Sequence, residues 1–466
     1  MDDFSLRELE DTIFRAVSEI ARNVTRMVLE ALDEQLMNSR DKIRYEVIRK
    51  VQTTVKMKYG EVEYGRRYYK DHINKEKVFL LDKLTEGDRL GLYSTGAVEM
   101  VLKACAEMSY QKAAEHIKNN TALTISKTEC WNIVQEFSEV IDNYLEKQLP
   151  SDDKKDVNIL YEEADGVWLF HQGKNHKKEK SMEVKVVTLY DGWNEDNTKR
   201  LVNKTVIGGN CSAADINKKT EAVIDSLYNI DEINTIVLNG DGASWIDGMA
   251  GKDMIYQLDR FHVMKYITKA IKDKKILKRV KKSLKENDIT KMLDLIETYM
   301  NSIDDGSNDK QVKIVKDTLR YLQNHKDNII YYHERSEFQE FVEDGKIYKN
   351  MGVQENQNCT VITLRMKHRR MRWGYSGSDA MVKLRCVIEN GWLSDIIKSI
   401  DGRYTRRKTD IDPDEIIDKA FESAAPYLKS VGSGSRYFDQ SKVSIPLLGT
   451  AKTTLSTAIR GLSGLA

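Results

Sequence analysis

Apolar residues near the start of the chain recur at helical spacing, at Leu9, Ile13, Val17, Ile20, Val24, Val28 and Leu32, with charged residues between them. The spacing predicts a long amphipathic helix over residues 5–51, its stripe buried either within its own domain or against another copy of the chain. Between residues 52 and 81 the pattern shifts to alternation, in Thr53-Thr54-Val55, Val62-Glu63-Tyr64 and Val78-Phe79-Leu80, around the turn-forming pairs Tyr59-Gly60 and Asp71-His72. Short strands are expected there. Helical spacing resumes at residue 91 and runs to residue 149, where Pro150-Ser151-Asp152-Asp153 interrupts it and marks a domain boundary.

Beyond that boundary come three strand-like stretches, residues 157–170, 183–190 and 199–207, then a helical stretch over 213–228 and an apolar strand over 233–238. Strand, strand, strand, helix, strand is the order of a ribonuclease-H-like core, in which the first and fourth strands lie side by side. Residues 262–348 read as a charged helical insertion. The fold class is therefore α/β, with a mainly helical N-terminal region ahead of a core that the insertion interrupts. Five segments follow: an amphipathic helix with short strands (1–85), a helix-turn-helix-like domain (86–150), the core (151–261 and 349–400), the insertion (262–348), and a C-terminal helical region and tail (401–466). A flexible joint at Gly432-Ser433-Gly434-Ser435 falls in the last.

Charge changes the picture by its distribution. The formal net charge is +1, from 74 basic and 73 acidic residues, but the basic ones cluster at 66–75, 174–180, 272–285, 365–372 and 403–408. For residues 272–285 a solvated helix face is the expected reading. The 5 cysteines include no Cys-x-x-Cys pair, so neither a disulfide framework nor structural zinc is expected. No stretch approaches the roughly 20 apolar residues of a membrane span, and the N-terminus lacks the apolar segment of a signal peptide. These features predict a soluble cytoplasmic protein with no membrane partner.

Two aspartates stand out because they end or interrupt apolar strands: Asp165 in Tyr161-Glu-Glu-Ala-Asp-Gly-Val-Trp and Asp241 in Leu238-Asn-Gly-Asp-Gly-Ala. Each is followed by glycine, which also suits a plain turn. Neighbouring strands would bring the two together, and carboxylates gathered at a strand edge are costly unless hard cations such as Mg²⁺ pair with them. Glu355, in Met351-Gly-Val-Gln-Glu, is a candidate third carboxylate, and Glu389 on an apolar helix is its rival. Asp259-Arg-Phe-His262 follows a strand-like segment, where the histidine either orients a phosphate or is structural.

Residues 108–117 and 126–134 have the spacing of a helix-turn-helix, with Ser126 and Glu129 in capping-box register. Tyr110, Lys112, Ser126, Lys127 and Thr128 would then face DNA, whereas an ordinary helical hairpin would leave them without that role. Arg365, Lys367, Arg369, Arg370 and Arg372 put cations on more than one face of a helix, which favours a polyanion partner. Trp373 and Tyr375 either stack on an unpaired base or belong to the core.

Arg67-Tyr-Tyr-Lys, Phe79-Leu-Leu-Asp, Ser109-Tyr-Gln-Lys-Ala-Ala, Glu163-Ala-Asp-Gly-Val, Leu238-Asn-Gly-Asp-Gly-Ala, Leu258-Asp-Arg-Phe-His, Met351-Gly-Val-Gln-Glu and Arg365-Met-Lys before Trp373 occur in this order. Together they resemble the ISLre-type bacterial insertion-sequence transposases, members of the Asp-Asp-Glu group distantly similar to Mutator-like enzymes. The resemblance spans residues 45–385. It departs from the family pattern at Tyr375, and the extreme N-terminus and C-terminal tail match poorly. It implies catalytic and metal-binding roles for Asp165, Asp241 and Glu355, with Asp259 and His262 as auxiliary residues. Two Mg²⁺ ions, replaceable by Mn²⁺, are implied as cofactors. Implied partners are double-stranded DNA, as terminal inverted repeats and target, and at least a homodimer on DNA in a bacterial, nucleoid-associated setting. The implied activity is metal-dependent cleavage at element ends followed by 3′-hydroxyl strand transfer. Two alternatives stand beside it: a ribonuclease-H-like nuclease that cuts without joining, and a sequence-specific DNA-binding regulator with an inactive core.

Overall fold

A computed structural model describes residues 5–85, 89–147, 154–173, 180–194, 200–251, 254–303, 309–343 and 345–402. The described residues divide into two compact units: those within 5–105, 109–133 and 397–402, and those within 106–108 and 134–396. The Pro150 boundary, most of the basic loop 174–180 and the Gly/Ser joint with its tail lie outside the described residues.

In the first unit, helix α1 (Leu6–Ser39) starts where the Ser5 side chain accepts from the Glu8 N–H. The expected helix over 5–51 thus ends early. Residues 45–51 instead open strand β1 (Tyr45–Met57), which pairs antiparallel with β2 (Gly60–Asp71) from Tyr45↔Asp71 to Met57↔Gly60. The β-branched Val47, Ile48 and Val51 suit either structure locally, and a full-length hairpin partner decides for the strand. Gly60 closes that hairpin at φ +112, a conformation that favours glycine. Strand β3 (Glu76–Phe79), helix α2 (Leu80–Thr85) and the short strands β4 (Arg89–Leu90) and β5 (Tyr93–Ser94) complete a sheet of order β3-β2-β1-β5-β4. Leu29, Leu32 and Leu36 of α1 pack on Val55, Val62, Tyr64 and Leu81, so the second half of the stripe is buried within the unit. Its first half is not: Leu6, Ile13, Phe14 and Val17 are exposed.

Helices α3 (Thr95–Glu107), α4 (Tyr110–Asn120) and α5 (Lys127–Lys147) follow. The expected capping box forms: Glu129 N–H donates to Ser126 Oγ at 3.1 Å, and Ser126 N–H to Glu129 Oε2 at 2.9 Å. The division between the units falls within α5, near Ile133.

The second unit is built on strands β6 (Ile159–His171), β7 (Ser181–Tyr190) and β8 (Thr205–Gly209), helix α6 (Ala213–Leu227), strand β9 (Thr235–Gly240), the short helix α7 (Ser244–Asp247) and strand β10 (Met254–Leu258). The sheet runs β10-β9-β6-β7-β8, with β6, β7 and β8 antiparallel and β6, β9 and β10 parallel. The first and fourth strands are therefore neighbours, as the element order predicts. Helices α8 (Arg260–Ala270), α9 (Lys274–Lys285), α10 (Ile289–Ile303) and α11 (Asp309–Asn324) then bury Val263, Ile267, Val280, Met292, Ile296, Val315 and Leu322 in a core of their own. Short 3-10 turns lead to helix α12 (Gln354–Gln357), which continues as a π-helix over Asn358–Lys367. Strand β11 (Arg372–Trp373) adds to the end of β6, and helices α13 (Tyr375–Glu389) and α14 (Leu393–Gly402) follow. The architecture is mixed α/β, with two sheets and many helices.

Candidate active site

Pairing register explains why the two prominent aspartates meet. β6 and β9 run parallel with Leu160↔Ile236, Glu162↔Leu238 and Glu163↔Asn239, a constant offset of 76 residues. Continued by two residues, that offset sets Asp165 beside Asp241, just past the last residue of β9. On the other side of β9, β10 ends at Leu258↔Gly240, and Asp259 N–H donates to the Gly240 carbonyl at 2.7 Å. Asp259 is also the N-cap of α8, accepting from the Phe261 N–H at 2.9 Å. One turn into that helix, His262 Nδ1 lies 2.9 Å from Asp259 Oδ2. Ligand atoms of Asp165, Asp241 and His262 all fall within 4.8 Å of one another.

Each member of this group is held. Asp165 is 8 % exposed; its Oδ1 accepts from the Gly166 N–H at 2.8 Å and its Oδ2 from Asn358 Nδ2 at 2.6 Å. Asp241 Oδ1 accepts from the Ala243 N–H at 2.9 Å, and its carbonyl oxygen accepts from the Tyr321 hydroxyl at 2.6 Å. Gly242 follows at φ +80, where an added Cβ would stand 3.1 Å from Tyr321 and His325, so glycine suits both backbone and space.

The electrostatics are those of acids crowded together and partly buried. Burial pushes the Asp165 carboxyl up to about 6; the charge of His262 and the Gly166 N–H oppose this, and Asp241 and Asp259 add to it. For His262, burial disfavours the cation, but the Asp259 hydrogen bond and the charges of Asp165, Asp259 and Asp241 together raise its pKa. A divalent cation would replace this mutual repulsion with attraction. Two carboxylates are hard oxygen donors suited to Mg²⁺, and an imidazole held at Nδ1 by a carboxylate has the second-shell orientation of metal-binding histidines.

Glu355 and Glu389 stand elsewhere. Glu355 is exposed on α12 and is not in the group within 4.8 Å. Its neighbour three residues on, Asn358, is the one that reaches Asp165. Glu389, at the end of α13, pairs with Lys204.

Glu163 was not among the candidates, and it secures the same region. It is buried and accepts from Tyr190 Oη at 2.7 Å, Asn239 Nδ2 at 3.0 Å and the backbone N–H groups of Gly352, Val353 and Gln354 at 3.0 to 3.3 Å. Burial raises its pKa, while these donors favour the carboxylate. Its signal was legible: two residues from Asp165 on a strand means the same face. No pattern in the sequence marks Asn358 or Tyr321.

The DNA-facing candidates divide. Lys112, Ser126, Lys127 and Thr128 are exposed around the α4–α5 turn, and Tyr110 is half-buried. Lys56 Nζ and Tyr93 Oη each lie 2.6 Å from Glu129 Oε1. Burial raises the Glu129 pKa, but these partners and Ser126 outweigh it and bring the carboxyl down to about 2. Lys367, Arg370 and Arg372 are exposed. Trp373 and Arg365 are buried, unlike Lys367, Arg370 and Arg372. Trp373 is 6 % exposed, with Nε1 donating to the Met366 carbonyl at 2.8 Å, because pairing of β11 with β6 draws it inward. Arg365 is 4 % exposed, its guanidinium 5.3 Å from the Trp373 ring centre, because the wider turn of the π-helix directs it inside. The Arg369 side chain lies outside the described residues. Among the described residues, no helix is long and apolar enough to cross a membrane.

The profile of an uncharacterised protein family, UPF0236, matches residues 1–399. A UPF0236 protein in the vanSb 3′ region of Streptococcus gallolyticus is 26 % identical over 396 residues, covering 83 % of each chain. A UPF0236 protein of Caldanaerobacter subterraneus subsp. tengcongensis is 25 % identical over 397 residues, covering 83 % of this chain and 78 % of its own. The solved Drosophila P element transposase strand transfer complex aligns at 11 % identity and a TM-score of 0.24, over 82 % of this chain and 93 % of that one. With 399 of its 466 residues matched by the family profile, the chain belongs to the uncharacterised protein family UPF0236.

Proposed function

We propose that this protein is a DNA transposase of the Asp-Asp-Glu group, similar to the ISLre type, cutting phosphodiester bonds at element ends and joining the freed 3′-hydroxyl to target DNA. The observation that carries the reading is the group of Asp165, Asp241 and His262 at the ends of adjacent parallel strands. The sheet order supports a ribonuclease-H-like core, and the ordered motifs of the sequence supply the transposase resemblance.

In this reading Asp165 and Asp241 hold Mg²⁺, with Mn²⁺ as a substitute that tolerates an imidazole ligand. Such ions supply charge neutralisation and a more acidic attacking hydroxyl. The protein's own residues orient and position. Asp259 fixes the His262 ring, Asn358 fixes the Asp165 carboxylate, and Glu163 holds the start of the helix bearing Glu355, the proposed third carboxylate. Exposed Lys112, Lys127, Lys367, Arg370 and Arg372 would take the phosphate backbone. Synapsis of two ends calls for at least a dimer on DNA.

The test is incubation of purified protein with a labelled duplex carrying the flanking element's end, in Mg²⁺ and in EDTA, comparing wild type with Asp241→Asn. Metal-dependent cutting at the end, lost in the variant while DNA binding persists, is expected, and a pre-cut end should then be joined to target DNA. Cutting without joining would leave a nuclease, and binding without cutting a regulator. An Asp241→Asn protein that still cuts would overturn the assignment.

A further inference from the structure

Helix α9 is a cationic bar with its apolar side already used. Val280, Ser283 and Leu284 are buried, and Ile276 and Leu277 pack against the same core. The remaining surface exposes Lys274, Lys275, Lys278, Arg279, Lys282 and Lys285. The helix contains no acidic residue. Its N-cap carboxylate, Asp273, is engaged by the Lys275 and Ile276 N–H groups. Among the described residues, the cations of this face have one ion pair, Lys282 to Glu286 at 3.6 Å, with both side chains well exposed.

This arrangement works against the helix that carries it. Lys274 and Lys278, Lys275 and Arg279, and Lys278 and Lys282 are like-charge pairs at i,i+4, which destabilise a helix. Lys274 and Lys275 also sit in the first turn, where the helix dipole disfavours positive charge. Helix α11 differs, since its Arg320 pairs with Asp317. A basic amphipathic helix can lie on a membrane only if its apolar side is free to insert. Here that side is committed to the core formed by α8 to α11, so a partner of the exposed face would be met by charge alone.

We infer that the exposed face of α9 is a second DNA-binding surface, taking the phosphate backbone of duplex DNA. The inference rests on the proposed DNA-transposing function. It assigns contacts beyond the helix-turn-helix and the segment 365–372, and replaces the solvated-face reading of residues 272–285. Placement favours it: α9 follows α8, whose first turn carries His262 of the candidate active site. α8 has 11 residues, a length of about 16 Å. A duplex whose scissile phosphate reaches Asp165 and Asp241 would extend over this distance in less than one helical turn of DNA. Because the contacts are to phosphate, they add affinity without reading sequence.

The experiment measures binding of the full chain to a fluorescent duplex of arbitrary sequence across a salt series. Wild type is compared with the fourfold variant Lys274→Ala, Lys278→Ala, Lys282→Ala and Lys285→Ala, and with the matching Lys→Arg variant, which keeps the charge. Circular dichroism and thermal unfolding verify that each is folded. Each phosphate contact contributes about 0.9 to the slope of log affinity against log salt, so the alanine variant should lose about 2 to 4 from that slope and at least about tenfold in affinity at low salt. The arginine variant should keep both. A folded alanine variant with unchanged slope and affinity overturns this inference while leaving the transposase reading intact. A wild-type protein that binds no duplex overturns both. An RNA duplex of the same sequence that outcompetes the DNA would overturn the choice of DNA.

Discussion

Replacing Asp165 by asparagine should change stability in a pH-dependent way. Asp165 is 8 % exposed, and its carboxyl is pushed up to about 6 from 3.8 by burial, with Asp241 and Asp259 adding to the effect. Between these two values the folded protein holds its proton more tightly than the unfolded chain. Stability contributed by this group is therefore greatest below about pH 4, falls as pH rises toward 6 and is level above it. The gap corresponds to about 3 kcal/mol at neutral pH in the absence of metal. The substituted amide carries no charge, so it escapes this loss at high pH, but it has one acceptor oxygen where Asn358 Nδ2 and the Gly166 N–H each use a separate carboxyl oxygen. Urea denaturation in EDTA should thus find the variant destabilised near pH 3.5, and its stability relative to wild type should rise by about 3 kcal/mol on going to about pH 8. A relative stability constant to within about 1 kcal/mol over that range would refute the account of Asp165 as a charge strained by its surroundings.

Glu163→Gln leaves backbone donors of residues 352–354 facing an amide, and should cost about 2 to 4 kcal/mol in urea denaturation and reduce cleavage more than DNA binding; a loss below about 0.5 kcal/mol would argue against the latch. Glu162 points to the opposite side of β6, where it is 2 % exposed with no partner for Oε1 among the described residues, and burial with the charge of Glu221 pushes it up to about 7. Its raised value means stability lost as pH climbs from about 4.5 to 7, so Glu162→Gln should be more stable than wild type by about 2 to 3 kcal/mol near pH 8 and lose that advantage near pH 4. Thermal unfolding at the two pH values measures this directly.

The parts that were legible in the sequence are those fixed by short-range pattern. Ser126 and Glu129 are three residues apart and form the capping box as read. Apolar runs around Asp165 and Asp241 become strands, and their order along the chain implied the neighbouring pair that brings the two together. Illegible parts depend on partners distant in sequence. Residues 45–51 carry a pattern compatible with helix, yet the hairpin with β2 makes them strand. The inward turn of Arg365 requires a π-helix, and no residue spacing signals one. The resemblance implies an auxiliary role for His262; what no local pattern reveals is that α8 begins beside the end of β9. Strand alternation puts Glu163 and Asp165 on one face, but the amides that make Glu163 a structural anchor come from residues 352–354, far along the chain.

The hold of Glu163 on Gly352, Val353 and Gln354 has a consequence for the timescales of motion within the second unit. These three amides belong to no strand, and their flanks are exposed or half-buried, which in an ordinary loop would mean hydrogen exchange within seconds. Bound to a buried carboxylate at the centre of the sheet, they can exchange only when β6 itself opens. The end of the chain that returns from helices α8 to α11 is thereby kinetically part of the sheet, although it belongs to no strand.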